Sequence, residues 1–168
     1  MKIIPQTTNM PVLRTDFSDD AMWQTVCDAM AKSYHEFALE IGEEDFDVTL
    51  AFISDPEYSG ITPEQVLALI PLYAKRTFIV LSESFGHSCI FIVDHTTISE
   101  SEHPVLAMNL FDDEDGGTYS KIGQTFRLLP SEVAHIEMNL TLANMDFRDF
   151  ADSVKADGIF RGFEQTRR

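Results

Sequence analysis

Val12-Leu13-Arg14-Thr15-Asp16-Phe17, followed directly by Ser18-Asp19-Asp20, is the stretch on which the fold turns. Apolar and polar residues alternate from 12 to 17, the two-residue period of a strand with one buried face. Ser18 then predicts a helix N-cap, and Asp19 and Asp20 put negative charge in a first turn, where the helix dipole favours it. Beyond them Trp23, Val26, Cys27, Met30, Tyr34 and Phe37 fall at helical spacing. That stripe predicts an amphipathic helix of about five turns. A second strand is predicted over 47–53, after the charged loop Gly42-Glu43-Glu44-Asp45, so the chain could open with a β-α-β crossover.

Working outward, Thr62-Pro63-Glu64-Gln65 predicts a helix start. Thr62 can cap, proline has a preset φ at the first helical position, and Gln65 can close a capping box. Val66, Leu69 and Ile70 form its buried face, and Pro71 shortens or bends it. Runs rich in β-branched residues over 77–81 and 89–93, separated by Ser84-Phe85-Gly86-His87, predict a hairpin or two neighbouring strands. Further strands are predicted over 105–110 and 124–129, on either side of a solvated acidic loop at 112–117. The remainder reads as helical from about residue 131, interrupted near Asn144, and resumed over 146–154, with Gly158 placed to take positive φ. Residues 1–10 show no periodicity and read as a loose leader; 11–168 form one domain, without internal repeat or linker. The expected class is α+β: a mixed, mostly antiparallel sheet covered by helices, with the N-terminal βαβ unit as an option. This pattern leaves strand order open.

The charge is lopsided, with 12 Lys plus Arg against 28 Asp plus Glu, a net charge of −16 and a pI near 4.4. Nucleic-acid binders replace counterions with cationic side chains, so no DNA or RNA ligand is expected, and no anionic membrane surface either. The balance favours a basic protein partner or a cationic ligand. Met1-Lys2-Ile3-Ile4-Pro5 is too short and too interrupted for a signal peptide. Cys27 and Cys89 are the only cysteines. A reducing cytoplasm with both thiols free is the expected compartment.

Chemical motifs fail on inspection. An EF-hand alignment of the acidic tract at 112–117 puts Gly123 where a bidentate glutamate belongs. His87, Cys89, His95 and His103 match no zinc spacing, and Cys27 lies within the apolar stripe of its helix. G-x-S-x-G, G-x-G-x-x-G and Walker A sequences are all missing. No catalytic residue, metal or cofactor is expected on these grounds. What remains is a scatter of polar residues among C-terminal aromatics: Arg14 and Asp16 with Arg127, Asn139, Asn144, Asp146 and Arg161. One account makes them structural, as helix caps and Arg–Asp pairs bracing the fold. The other makes them the lining of a binding cleft.

Leu13-Arg14-Thr15-Asp16-Phe17-Ser18-Asp19-Asp20, Asn139-Leu140-Thr141-Leu142-Ala143-Asn144-Met145-Asp146-Phe147 and Gly158-Ile159-Phe160-Arg161-Gly162-Phe163 resemble blocks of an uncharacterised bacterial family, the domain of unknown function of the sixty-nine twenty-four type. The resemblance spans about 11–163. It implies relatives without implying an activity, and carries over neither catalytic residues nor a cofactor. The acidic insert at 112–120 is longer than the resemblance leads one to expect. Two functions are therefore weighed. The first is a non-enzymatic cytoplasmic binding module, immunity-like or inhibitory, engaging a basic protein. The second is a small enzyme or ligand-binding domain with a cleft near Arg14, Asp16, Asn144, Asp146 and Arg161, where a carboxylate moves a proton and arginine holds an anionic substrate.

Overall fold

The structure, a computed structural model, describes residues 1–71, 86–112 and 119–164. Its frame is one sheet of strands β1 (Met10–Arg14), β2 (Leu50–Ile53), β3 (Cys89–Val93), β4 (Val105–Asn109), β5 (Thr125–Leu128) and β6 (Ile159–Phe160), in the order β2-β1-β3-β4-β5-β6. β1 runs parallel to both β2 and β3; β4 is antiparallel to β3 and to β5; β6 is parallel to β5. The sheet is mixed, as expected, but among the described residues it is not mostly antiparallel: three of the five pairings are parallel, because the β1 crossovers and β6 add parallel neighbours on either side of the antiparallel β3-β4-β5 middle. The N-terminal βαβ unit is present, with α1 (Asp20–Glu40) between β1 and β2.

β1 was expected to bury one face, yet all five of its residues are buried. The reason is its position: parallel strands on both flanks place it at the centre, where layers cover both faces. On one side Met10 and Val12 join Trp23, Val26, Cys27, Met30 and Tyr34 of α1, with apolar residues of α4 (Val133–Thr141) and α5 (Phe147–Ala151). On the other side Leu13 packs with Ile4, Tyr58, Val66 and Ile70. The leader is therefore pinned at Ile4, which is fully buried and donates its N–H to Leu69 O at 3.0 Å.

Capping chemistry sets the helix starts. α2 (Pro63–Leu69) begins with the full capping box of Thr62 and Gln65, as read from the sequence, and ends before Pro71. At α1 the cap is Asp19, whose side chain accepts from Met22 N at 2.8 Å, one residue later than Ser18. Ser18 is instead bound through its N–H and hydroxyl to Asp16 Oδ1. The short α3 (His95–Ser99), capped by Asp94, and the two-residue β6 were not foreseen. The expected strand at 77–81 and most of the acidic loop at 112–117 lie outside the described residues. Among the described residues no helix is long and apolar enough to cross a membrane.

Candidate functional site

β1, β2 and β3 are parallel, so their C-terminal ends share one edge of the sheet. From β1 the chain crosses to β2 on one flank, then returns to β3 on the other. That reversal opens a crevice at the carboxyl ends of β1 and β3, the place where open α/β sheets receive ligands. Here the crevice is about 520 Å³ and is lined by residues 15–18 and 59–61 with Asp94 and His95. Gly60, at φ +72°, turns the backbone so that its N–H meets Thr15 O at 2.8 Å and closes one wall.

Asp16 is the hub. Its Oδ1 accepts from Ser18 N at 2.7 Å and Ser18 Oγ at 2.5 Å, and its Oδ2 lies 2.8 Å from His95 Nδ1. Burial opposes ionisation of Asp16, but the Ser18 and His95 hydrogen bonds outweigh it and hold the carboxyl below its ordinary range. An ionised carboxylate can only accept, so Nδ1 carries the proton in neutral His95. The lone pair then sits on Nε2, on a side chain that is 81% exposed while Asp16 is 10% exposed. A carboxylate-oriented imidazole of this kind can accept a proton or a hydrogen bond from a molecule in the crevice.

The arginines nearby are engaged. Arg14, only 4% exposed, donates Nε to Asp16 O at 2.9 Å and Nη2 to Asp20 Oδ1 at 2.6 Å, and its guanidinium lies 4.3 Å from the Phe17 ring centre. Arg127 forks onto Asp94, Nη2 to Oδ2 at 2.7 Å and Nη1 to Oδ1 at 3.1 Å. Asp94 also accepts from Thr97 N, capping α3.

Of the seven polar residues marked in the sequence, Asp16 therefore lines the crevice, Arg14 reaches it through the Asp16 carbonyl, and Arg127 reaches it through Asp94. The others stand apart. Asn139 and Asn144 belong to the end of α4, where Asn139 Nδ2 donates to His135 O at 2.7 Å and Asn144 N donates to Asn139 O at 3.0 Å. Asp146 stands at the start of α5, its N–H donating to Asp149 Oδ2. Arg161 forks onto Glu102 and Asp157, each at 2.7 Å. The cleft imagined from all of them is thus not one place.

The aromatics around these residues form a single mass. Phe126 meets Phe147 at 4.9 Å between ring centres, Phe160 meets Phe150 at 5.5 Å, and Phe163 meets Phe160 at 5.1 Å.

His95 matches no metal-ligand spacing, and its place in the crevice follows from the fold. The available signal was its place directly after the strand 89–93. A second surface also emerges only in three dimensions. Along α1 and the turn after it, Asp28, Glu36, Glu40, Glu43, Glu44, Asp45 and Asp47 are exposed, against one exposed lysine, Lys32. Leu39 and Ile41, 59% and 53% exposed, sit among them. Lys32 is itself paired with Glu36 at 3.1 Å.

Comparison with known proteins gives one family. The model described as a domain of unknown function (DUF6924) matches residues 9–163, and the chain belongs to that family. Comparison with curated proteins yields no match.

Proposed function

We propose that this family member is an acidic binding module that engages a basic protein, in the manner of an immunity or inhibitory protein, through the exposed side of α1 and the turn that follows. The observation that carries the reading is the surface of carboxylates on residues 28–47 with Leu39 and Ile41 bare among them. Exposed apolar groups rimmed by like charges suit a partner whose positive surface steers the encounter and whose apolar side chains complete it. The helix is about 30 Å long at 1.5 Å per residue, enough to span a standard interface. A cytoplasmic setting is part of the proposal, supported by the two buried free thiols, Cys27 and Cys89.

One observation favours a second reading, a small enzyme or ligand-binding domain: the Asp16–His95 pair in the crevice, with Nε2 facing solvent. A single experiment separates the two. The protein is used to capture partners from its host at low and high salt, and the retained protein is identified and titrated against variants. The binding-module reading expects a basic partner whose affinity falls at least about tenfold between low and high salt. A comparable loss is expected in Glu36→Lys/Glu40→Lys/Glu43→Lys/Glu44→Lys, with His95→Gln unchanged. Retention of no basic protein, or indifference to the four reversals, counts against it; a loss confined to His95→Gln favours the crevice.

A further inference from the structure

The opposite edge of the sheet holds a different hollow. The N-terminal ends of β1, β2 and β3 meet there, and a cavity of about 390 Å³ is lined by Met10, Thr49, Ser88, Phe111, Glu137 and Leu140, among others. That volume lies within the usual range for small-molecule sites.

Glu137 is its chemical centre. It projects from α4 and is 4% exposed. Oε1 is used, accepting from Thr49 Oγ1 at 3.1 Å and Thr141 Oγ1 at 3.4 Å. Among the described residues Oε2 is buried without a hydrogen-bond partner, and so are Ser88 Oγ on the cavity wall and the hydroxyl of Tyr34 beside Glu137. Buried polar atoms are nearly always paired, so orphans on two residues of one cavity wall, Glu137 and Ser88, call for an explanation. No lysine or arginine is among the described residues that line it. Among the described lining residues this buried carboxyl has no counter-charge, in a protein whose net charge of −16 draws cations and repels anions.

We propose that this cavity binds a small primary amine, its ammonium group donating to Glu137 Oε2 and Ser88 Oγ and its carbon body lying against Phe111 and Leu140. An ammonium has three donors and no acceptor, which matches two unpaired acceptors, and the Phe111 ring adds an apolar wall that tolerates a cation. Proton linkage follows. Burial raises the Glu137 carboxyl above its ordinary value, against the hydroxyls of Thr49, Thr141 and Tyr34. The other titratable groups facing it are Tyr34 on α1 and Cys89 on β3, both pushed up by burial and by Glu137 itself, with His87 on the cavity wall. An ammonium ligand holds Glu137 ionised, so the free protein gives up a proton on binding. Affinity therefore increases as pH rises through the range just above the ordinary glutamate value.

The test uses benzylammonium as probe, with neutral benzyl alcohol and anionic benzoate as controls, read by amide shift changes and calorimetry on the full chain. The expected result is saturable binding of benzylammonium alone, perturbing Ser88 and Leu140, stronger at pH 7 than at pH 5. Affinity drops at least tenfold in Glu137→Gln. Leu140→Trp, which fills the cavity and leaves the carboxyl in place, gives the same loss, and keeps the proposal testable should Glu137→Gln fold poorly. No perturbation at millimolar probe, equal binding by a folded Glu137→Gln or by Leu140→Trp, or a preference for benzoate overturns it.

Discussion

Ala143 ends α4 in the left-handed region, at φ 54°. Its N–H donates to Leu140 O at 3.1 Å, and Asn144 N donates to Asn139 O at 3.0 Å. This is the Schellman pattern, in which the residue taking positive φ is usually glycine because a Cβ is strained there. Ala143→Gly is therefore expected to raise stability by about 0.5–1 kcal/mol, relief of strain exceeding the added freedom of the unfolded chain. Urea denaturation measures it, and an unchanged or lower midpoint would show that the backbone is not strained. The same scale shows what sequence can and cannot say about a site. The capping box at Thr62 was legible because both partners are three residues apart. The cap of α1 was placed one residue early because Asp16, not a neighbour in the helix, takes the Ser18 hydroxyl. Glu137 left a fainter trace: an acid on the same helical face as Val133, a position a solvated glutamate has no reason to occupy.

Between elements, the Arg127–Asp94 fork ties β5 to the start of α3, and Arg127 also donates to Pro104 O at 3.0 Å just before β4. Both side chains are 23% exposed, so the pair is partly shielded from solvent. Arg127→Met is expected to cost about 2 kcal/mol, the loss of charged hydrogen bonds with the stem's packing kept. Burial works against ionisation of Asp94, and the bonds from Arg127 and Thr97 overcome it, leaving the carboxyl below its ordinary range. A lowered folded pKa gives stability that is complete above the unfolded value and lost as pH falls through the folded one. The difference between wild type and Arg127→Met should thus be fullest near neutrality and shrink below about pH 4, the ordinary aspartate value; a difference that grows in acid would contradict this. Long elements with a period, such as α1, were legible from spacing alone. α3 and β6 were not, because five and two residues carry no measurable period and are held by distant partners, Asp94 by Arg127 and β6 by β5.

Across the molecule, 28 carboxylates face 12 lysines and arginines. Self-repulsion of this size opposes the compact state and is screened by salt. Thermal melting at neutral pH is expected to rise by about 2–4 °C between about 10 and about 200 mM NaCl, an effect of roughly 1 kcal/mol for a domain of this length. A melting point indifferent to salt, or lowered by it, would mean that the ion pairs such as Arg161 with Glu102 and Asp157 outweigh the repulsion. Composition made this scale the most legible of all in charge and the least in architecture. Strand order depends on which flank each crossover takes, and alternation within β1 suggested one covered face where two exist. The site suffered for the same reason, since a crevice made by strand order has no linear signature.

The strand order also sets a timetable for the nascent chain. β1 leaves the ribosome first and is joined early by β2, yet its other flank is completed only when Val12 meets Phe91. Until then an apolar strand with unpaired amides stands on a half-built βαβ unit, a species open to misassociation. Such late closure raises contact order and slows folding. A dense coat of negative charge, whatever else it binds, keeps that unfinished intermediate apart from its copies.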